Sequence, residues 1–304
     1  MSAQVAEKES LTWMHVTDPG EDDLQKLREY KFHPLDIQDC QPQSVQHPKM
    51  DIYRNYVFLV FHFPIYDARE RKVEYLEIDA FVQHGLLVTV TKGRLDLLDR
   101  MFKSYRNLRS SKHTVRNSAG FQLYKIMDRL YRMSTPILNE IGESVNWSEE
   151  EVYKSTPKQI AYELAITRRN IQKLYRILDP QRSVMLRLIN VKKSFLPEQI
   201  SIYFDDVHDY LSRSITLLEN FRDSVEGVHL TNDFLMSQRI NNVMKSLTII
   251  SVSLLPLTLL TGLYGMNVEG LPLADNPFGL GLVGIGLLGV ILGVIFILRK
   301  KEWL

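Results

Sequence analysis

The sequence predicts an α/β domain that leads into a long helix and two membrane-spanning helices. Segments rich in β-branched and aromatic residues lie before residue 92, and such segments are typical of strands. From residue 94 onward, apolar residues recur at intervals of three and four, which indicates helices. Residues 246–268 and 278–298 carry no charged side chain, and each run has the length of about 20 apolar residues that a helix needs to cross a bilayer.

Short strands and helices are predicted to alternate at the start of the chain. The strands are expected at residues 11–17, at 50–66 and in two segments of 73–91. The helices are expected at residues 21–30 and 33–40. His84-Gly85 should form a hairpin turn. Pro64 should terminate its strand or lie at a sheet edge, because proline lacks the N–H that pairs in a ladder.

Helices are predicted for most of the remaining chain. The first three are expected at residues 94–109, 119–146 and 157–178. Glu149-Glu150-Glu151 lies between the last two, and a solvated helix end explains it better than a cation-concentrating device, because its spacing has no calcium-loop pattern. The apolar periodicity over residues 198–264 then predicts one helix. It would be on the order of 100 Å long at a rise of 1.5 Å per residue.

Charge and cysteine content exclude several classes of protein. The 304 residues carry 37 basic and 36 acidic side chains, so no charge imbalance indicates a nucleic-acid partner. Cys40 is the only cysteine, which rules out an intramolecular disulfide or a thiolate metal cluster within one chain. The sequence shows no nucleophile constellation and no phosphate-binding loop, so an enzyme is not predicted.

The charges that flank the apolar runs predict the topology. Arg239 and Lys245 precede the first run, and Arg299-Lys300-Lys301 follow the second. The loop between the runs contains acidic residues but no lysine or arginine. The positive-inside rule therefore places both termini in the cytoplasm. We expect a multi-pass protein of the cytoplasmic (inner) membrane, with the lipid bilayer as a partner.

The predicted organisation has six parts. They are a cytoplasmic α/β domain at 1–118, cytoplasmic helical hairpins at 119–196, a long stalk and pore helix at 197–264 with its membrane span at about 246–264, an extracytoplasmic loop at 265–277, a second span at 278–298 and a basic cytoplasmic tail at 299–304.

One face of the first membrane helix combines polar, flexible and small side chains within an arc of about 100°. Its members are Asn241, Met244, Thr248, Ser251, Leu255, Thr258 and Gly262. From the residues alone, a pore face and ordinary helix packing explain this pattern equally well. Pro256 removes one helix hydrogen bond. A bend at this position and a helix in which packing compensates for the lost bond are predicted equally.

The second membrane helix is rich in glycine and offers no polar side chain. Glycine allows helices to approach closely in lipid, so this helix is expected to pack outside the first. Two helices cannot enclose a water-filled path, and a pore therefore requires several subunits in a ring. Neither span contains an ionisable residue, which disfavours a proton-coupled pump.

Tyr264-Gly265-Met266-Asn267 closes the first span, just before a short loop. In this position the motif resembles that of the CorA family of divalent-metal transporters. The resemblance extends over most of the chain and is densest after residue 200. It includes Asn241 to Ile250, Leu255-Pro256-Leu257-Thr258, Tyr203 to Asp209, His33-Pro34-Leu35, Gln46-His47-Pro48-Lys49 and Asn55-Tyr56-Val57-Phe58.

The resemblance implies a funnel-shaped homopentamer with an α/β/α sandwich in the cytoplasm and a long inner helix around the pore. Mg²⁺, Co²⁺ or Ni²⁺ would pass inward, and Gly265, Met266 and Asn267 would form the selectivity filter. Mg²⁺ sheds water reluctantly, so amide oxygens of an Asn267 ring can accept hydrogen bonds from its hydration shell.

The resemblance also assigns roles along the pore. It makes the polar face of the first span the pore lining, and Met244, Leu247 and Leu255 become candidates for a hydrophobic gate that closes by dewetting. The basic tail, Arg299, Lys300 and Lys301, would surround the inner end of the pore.

Members of the family also sense cytoplasmic Mg²⁺ through carboxylates between subunits. Asp39 and Asp206 match such positions. Gln38 and Leu230 stand where an acid is found in other members, which weakens the expected regulatory site.

The sequence thus predicts a channel or transporter that moves Mg²⁺, and with it Co²⁺ or Ni²⁺, into the cytoplasm under control of cytoplasmic Mg²⁺. A Zn²⁺ transporter of the same superfamily is the first alternative. A non-conducting sensor anchored in the membrane is the second.

Overall fold

The structure is a computed structural model that describes residues 3–8, 10–107, 118–193, 195–266 and 277–300. The strands are β1 (Ala3–Lys8), β2 (Leu11–Thr17), β3 (Lys49–Ile52), β4 (Tyr56–Asp67), β5 (Lys72–Gln83) and β6 (Leu86–Thr91). The helices are α1 (Glu21–Glu29), α2 (Pro34–Asp39), α3 (Asp96–Asn107), α4 (Ala119–Tyr131), α5 (Ser134–Glu151), α6 (Pro157–Asn190), α7 (Ser201–Tyr264) and α8 (Pro277–Lys300).

The chain forms two compact units, and each is described by itself. The first comprises Met1–His229 and the second Leu230–Leu304. We call them the α/β unit and the apolar unit.

The α/β unit contains a six-stranded mixed sheet in the order β1-β2-β6-β5-β4-β3. β2 and β6 pair in parallel, and the other neighbours pair antiparallel. A parallel pair requires a crossover connection, and here the chain between β2 and β6 includes α1 and α2.

Helices cover both faces of this sheet, because successive strand residues point to opposite sides. On one face, Met14 and Phe81 belong to a buried cluster with Leu27 of α1 and Ile37 of α2. On the other face, Trp13 of β2 contacts Phe102 of α3 with ring centroids 5.2 Å apart. Phe63 of β4 likewise contacts Tyr131 of α4 at 4.8 Å. The predicted α/β/α sandwich is confirmed.

The Gln181 side chain of α6 hydrogen-bonds to the main chain of β4. Strand β3 pairs with β4 only as far as Val60. Beyond Val60, the main chain of His62 hydrogen-bonds to the side chain of Gln181. The Gln181 amide oxygen accepts from the His62 N–H at 3.1 Å, and its nitrogen donates to the His62 carbonyl at 2.6 Å. The Tyr131 hydroxyl donates to the same amide oxygen at 2.5 Å. Gln181 thus supplies the hydrogen bonds that a neighbouring strand would make.

One strand prediction was wrong, and one strand was missed. The segment predicted as one strand at 50–66 forms both β3 and β4, because the chain turns at Tyr53, whose N–H donates to the Tyr56 carbonyl at 3.0 Å. Strand β1 was not predicted, since Ala6 is the only one of its side chains that is buried. Pro64 lies within β4, opposite Tyr75, along a stretch that β3 does not pair. The prediction that it lies at an edge was therefore right, but it does not end its strand.

Two helix predictions also needed correction. The helix predicted at 119–146 is divided into α4 and α5 at Arg132 and Met133. Helix α6 continues through Pro180 to Asn190, because buried residues recur on the same face beyond the proline. They are Gln181, Val184, Met185 and Leu188. The tip between α5 and α6 lies after Glu151, as expected.

Helix α7 confirms the long helix, running without interruption over 64 residues through Pro256. In the described part of the chain, the helical segment Glu198–Tyr264 is the one segment long and apolar enough to cross a membrane, and none of its most apolar window is buried. Helix α8 has 24 residues and contains a shorter apolar stretch, Gly281–Val294. A second crossing therefore stays a prediction.

Candidate functional site

The C-terminal end of α7 requires a glycine. The Gly265 N–H donates to the Thr261 carbonyl at 2.9 Å. A Cβ at Gly265 would lie 2.7 Å from that carbonyl oxygen, which belongs to the helix backbone and cannot yield. Met266 follows with an exposed side chain. Asn267 lies outside the described residues, so its predicted role in the filter is untested.

The predicted pore face is a continuous surface of α7. Asn241, Met244 and Thr248 line one concavity together, as residues spaced by three and four on a helix should. The other members of this face, Ser251, Leu255, Thr258 and Gly262, are exposed. The gate candidates are exposed as well, with Leu255 at 68%.

Threonine hydroxyls on this face donate to their own helix. The Thr248 hydroxyl donates to the Met244 carbonyl at 2.8 Å, and the Thr258 hydroxyl donates to the Leu254 carbonyl at 3.0 Å. Because the proton of each hydroxyl is engaged, its oxygen presents only acceptor lone pairs to the outside. Such a surface suits the hydration shell of a cation.

Helix α8 faces the opposite side of α7 across a groove. The two helices form an apolar groove of about 560 Å³, to which α7 contributes Leu257, Leu260, Thr261 and Tyr264. At 3.6 residues per turn, these positions are centred about 160° from the polar face. Within the described chain, α8 therefore leaves the predicted pore face uncovered.

The glycines of α8 are not closely packed within one chain. A Cβ at Gly281, Gly284, Gly289 or Gly293 would meet no other group within 4 Å. The close approach that these glycines allow is not made between α7 and α8 in the described residues.

The α/β unit contains the two predicted regulatory carboxylates, and α2 positions the first. Asp36 in the first turn of α2 accepts from the Tyr53 hydroxyl at 3.0 Å and from the Tyr56 hydroxyl at 2.7 Å. Burial raises the pKa of Asp36, although the bonds from the two tyrosines act in the opposite direction. These bonds fix α2 to the β3–β4 hairpin and so place Asp39 at its end.

A mostly buried lysine, Lys92, fixes the chain on the other side of Asp39. The Lys92 ammonium donates to the Asp39 carbonyl at 2.7 Å and also to the Ser44 carbonyl and the Glu77 carboxylate. Burial acts to raise the pKa of Glu77, but bonds from His62 and Lys92 outweigh it, so that pKa is lowered. Glu77 thus stays ionised beside Lys92.

The side chain of Asp39 is already paired within its own chain. Lys49 Nζ lies 2.7 Å from Asp39 Oδ2 and 3.0 Å from Asp51 Oδ2. Partial burial acts to lower the pKa of Lys49, but the hydrogen bonds to Asp39 and Asp51 outweigh it and raise that pKa. Lys49 is therefore a cation held at Asp39.

The second carboxylate, Asp206 of α7, has a similar partner. Arg132 Nη2 lies 3.2 Å from Asp206 Oδ2, and its Nε lies 2.6 Å from Asp128 Oδ1. The guanidinium also lies over the Tyr210 ring, 5.4 Å from its centroid. These contacts join the end of α4 to α7.

Sequence reasoning missed the four residues that hold the carboxylates, Tyr56, Lys49, Lys92 and Arg132. Lys49 and Tyr56 lie in segments that carry the family resemblance, which was an available signal. For Lys92 and Arg132 no such signal existed, since Asp39 and Asp206 are remote from them in the chain.

The donor chemistry fits Mg²⁺. Carboxylate oxygens are hard ligands that Mg²⁺ accepts, often together with retained water. Asp205, His208 and Asp209 form a further group on α7, with potential ligand atoms within 4.8 Å of one another. This group is solvent-accessible, and His208 Nδ1 lies 3.9 Å from Asp209.

A folded α/β/α unit combined with a helix that exposes a long charge-free surface defines a membrane-anchored α/β protein. A family model described as "CorA-like Mg2+ transporter protein" matches residues 8–301. The chain therefore belongs to this family and is a divalent-cation transporter of the CorA type.

Individual relatives support the assignment. The chain is 29% identical over 300 residues to "Cobalt/magnesium transport protein CorA" of Thermotoga maritima, covering 96% of this chain and 83% of the relative. It is 21% identical to "Zinc transport protein ZntB" of Pectobacterium carotovorum, covering 99% and 90%. "The complete structure of CorA magnesium transporter from Methanocaldococcus jannaschii" matches with a TM-score of 0.81 at 20% identity, covering 98% of this chain and 93% of the other.

Proposed function

We propose that this transporter is a homopentameric Mg²⁺ channel, also open to Co²⁺ and Ni²⁺, in which α7 lines the pore and α8 forms the outer ring. The α/β unit and both termini lie in the cytoplasm, and α7 and α8 both cross the inner membrane. One chain cannot enclose a pore with two helices, so a ring of identical subunits is required.

The observation that carries this proposal is the division of α7 into two opposite faces. Its apolar side at Leu257, Leu260 and Tyr264 faces α8 across an apolar groove, whereas α8 leaves the side with Thr248 and Thr258 uncovered in the described residues. The engaged hydroxyls of that side offer oxygen acceptors without charge, which suits a hydrated cation better than a lipid tail. The glycines of α8 would then allow close contact between subunits or with lipid.

The filter is proposed at Gly265, Met266 and Asn267, where α7 ends. Five Asn267 amides would form a ring of oxygens that accept hydrogen bonds from the water shell of Mg²⁺ without dehydrating it. Gly265 supports this arrangement because its missing side chain lets the helix end directly before the motif.

Below the filter, we assign a hydrophobic gate to the exposed side chains of Met244, Leu247 and Leu255. Five copies facing one another would expel water when the pore narrows. Arg299 and Lys300 lie in the last turn of α8, and with Lys301 they would form a basic ring at the inner end.

Regulation is proposed at Asp39 and Asp206, which would bind Mg²⁺ between subunits and stabilise the closed assembly by preferential binding. The supporting observation is that both carboxylates are held in place by other elements of the α/β unit, Asp39 on a doubly anchored α2 and Asp206 beside α4.

Ion uptake into liposomes containing the purified protein tests the transported ion. We expect Mg²⁺ uptake that Co²⁺ inhibits and that Zn²⁺ inhibits weakly. Zn²⁺ transport is the second candidate, favoured by the match to a zinc transport protein over nearly the whole chain, and preferential Zn²⁺ uptake would establish it. A folded assembly with no cation uptake would instead support a non-conducting sensor.

A further inference from the structure

We propose that Lys49 and Arg132 are built-in counter-ions that compete with Mg²⁺ for the regulatory carboxylates. The inference rests on the proposed regulatory function of Asp39 and Asp206. Each base neutralises a carboxylate within its own subunit, so the regulatory ion has to displace it or share its oxygen.

The geometry at Asp39 supports competition. Lys49 Nζ lies 2.7 Å from Asp39 Oδ2, which is hydrogen-bond distance, and occupies the oxygen that an ion or its water would contact. Asp39 is mostly buried, with its side chain 16% exposed, so few directions remain for a second cation. The bond to Asp51 and the position of Nζ over the Phe58 ring keep Lys49 close.

Asp206 also forms an ion pair within its own subunit, but this pair is longer and more exposed than the pair at Asp39. Arg132 Nη2 is 3.2 Å from Asp206 Oδ2, and both side chains are half exposed. Asp128 and Tyr210 fix the guanidinium beside Asp206. Because Asp206 is more open to water than Asp39, Arg132 should compete less strongly than Lys49.

Competition of this kind sets the Mg²⁺ concentration at which the assembly responds. The apparent affinity of a site is its intrinsic affinity multiplied by the fraction of time for which the site is available. Removing Lys49 should therefore strengthen Mg²⁺ binding. Removing Lys49 would also leave the repulsion between carboxylates at the interface without a neutralising cation. The assembly without Mg²⁺ should therefore become less stable.

Limited proteolysis of the full-length protein in detergent, titrated with MgCl₂, tests the inference. Chymotrypsin is suitable because it does not cleave at lysine or arginine, so the substitutions remove none of its sites. For Lys49→Gln, the midpoint of Mg²⁺ protection should fall about three- to tenfold, the effect expected for a partly buried ion pair. Arg132→Gln should shift it less, and Lys49→Arg should keep it near the wild-type value.

Lys72→Gln is the matched control. Lys72 also contacts two carboxylates, at 2.8 and 3.0 Å, and has similar exposure, but its partners are Glu70 and Glu74. The midpoint of Mg²⁺ protection for Lys72→Gln should equal that of the wild type. An equal shift in Lys72→Gln, or a midpoint for Lys49→Gln that is unchanged or raised, would overturn the proposed competition.

Asp39→Asn separates this inference from the proposed regulation. If Mg²⁺ protects the wild type and Asp39→Asn abolishes the protection, the regulatory site is supported and only the Lys49 result decides the competition. If Mg²⁺ protects Asp39→Asn as well as the wild type, both the regulatory role of Asp39 and the competition are wrong.

Discussion

The α/β unit and the apolar unit offer different examples of how polar side chains are satisfied. In the α/β unit, side chains such as Gln181 and Asp36 bond to groups on other elements. In the apolar unit, the hydroxyls of Thr248, Thr258 and Thr261 donate to their own helix. Bonds between elements specify one arrangement of a core, whereas bonds within a helix leave its outer surface free for other molecules.

The apolar side chains show the same contrast. In the α/β unit, Val57, Phe58 and Leu59 of β4 are fully buried. In the apolar unit, Leu255 and Phe278 are more than 65% exposed. Because burial of apolar surface is the main favourable term in water, the exposed surface of the second unit suits cover by lipid and, in the proposed assembly, by neighbouring subunits.

The largest loss of stability from one substitution is expected at Gln181, which is fully buried. Gln181→Leu leaves the Tyr131 hydroxyl and the main chain of His62 without partners, and unpaired buried groups cost about 1–3 kcal/mol each. We expect a loss of roughly 3 kcal/mol or more in unfolding free energy, seen as a lower Tm in thermal unfolding. Gln172→Leu, at an exposed position of α6, is the control. A wild-type Tm for Gln181→Leu would contradict the role given to this network.

Asp79 provides a pH-dependent test within the same unit. It is fully buried, with Lys92 Nζ 3.9 Å from its Oδ2. Burial raises its pKa from 3.8 to about 8. The protonated folded form is therefore favoured, and the resulting stability is present in full below about pH 4 and is lost as the pH rises through 8.

The unfolding free energy should consequently fall with pH by up to about 1.4 kcal/mol per unit between pH 4 and 8 through this group. Asp79→Asn should remove that dependence. Glu74→Gln, on the same strand but more exposed, should leave it intact. Parallel pH profiles of Tm for the wild type and Asp79→Asn would show that Asp79 does not titrate as described.

In the apolar unit, the corresponding test is a change of function. Leu255→Ser places a hydroxyl on the face proposed as the gate, so water should enter more easily in the closed state. We expect Mg²⁺ flux at high internal Mg²⁺ to rise roughly tenfold, which corresponds to about 1.4 kcal/mol of barrier. Leu254→Ser changes a similarly exposed leucine off that face and should have little effect. Equal leak in both variants would contradict the assignment of the gate.

The smallest effect is expected at Thr261. Its hydroxyl donates to the Leu257 and Thr258 carbonyls of its own helix, so no bond between elements is lost in Thr261→Val. The change in unfolding free energy should stay within about 0.5 kcal/mol. A drop in Tm comparable to that of Gln181→Leu would remove the distinction between the two units.

The sequence predicted the features that depend on local pattern. The uninterrupted α7 followed from a long stretch of helical periodicity, and the main strands followed from β-branched and aromatic residues. The breaks at Tyr53 and at Arg132 were missed because neither contains glycine or proline, the residues that mark turns most clearly.

The candidate site was only partly predictable for a related reason. Asp39 and Asp206 were indicated by resemblance, but their pairing with Lys49 and Arg132 depends on how α2, β3, α4 and α7 pack. The Lys92 contact joins residues far apart in the chain. Such contacts are set by tertiary structure, which periodicity does not encode.

In the proposed channel, an uncharged ring of Asn267 side chains selects a hydrated divalent cation at the end of α7. The most direct test is Mg²⁺ uptake into liposomes by Asn267→Ala, compared with the wild type at matched protein density and oligomeric state. We expect uptake to be abolished or reduced at least about tenfold, which corresponds to a barrier of about 1.4 kcal/mol or more. Full uptake by an intact Asn267→Ala assembly would contradict it.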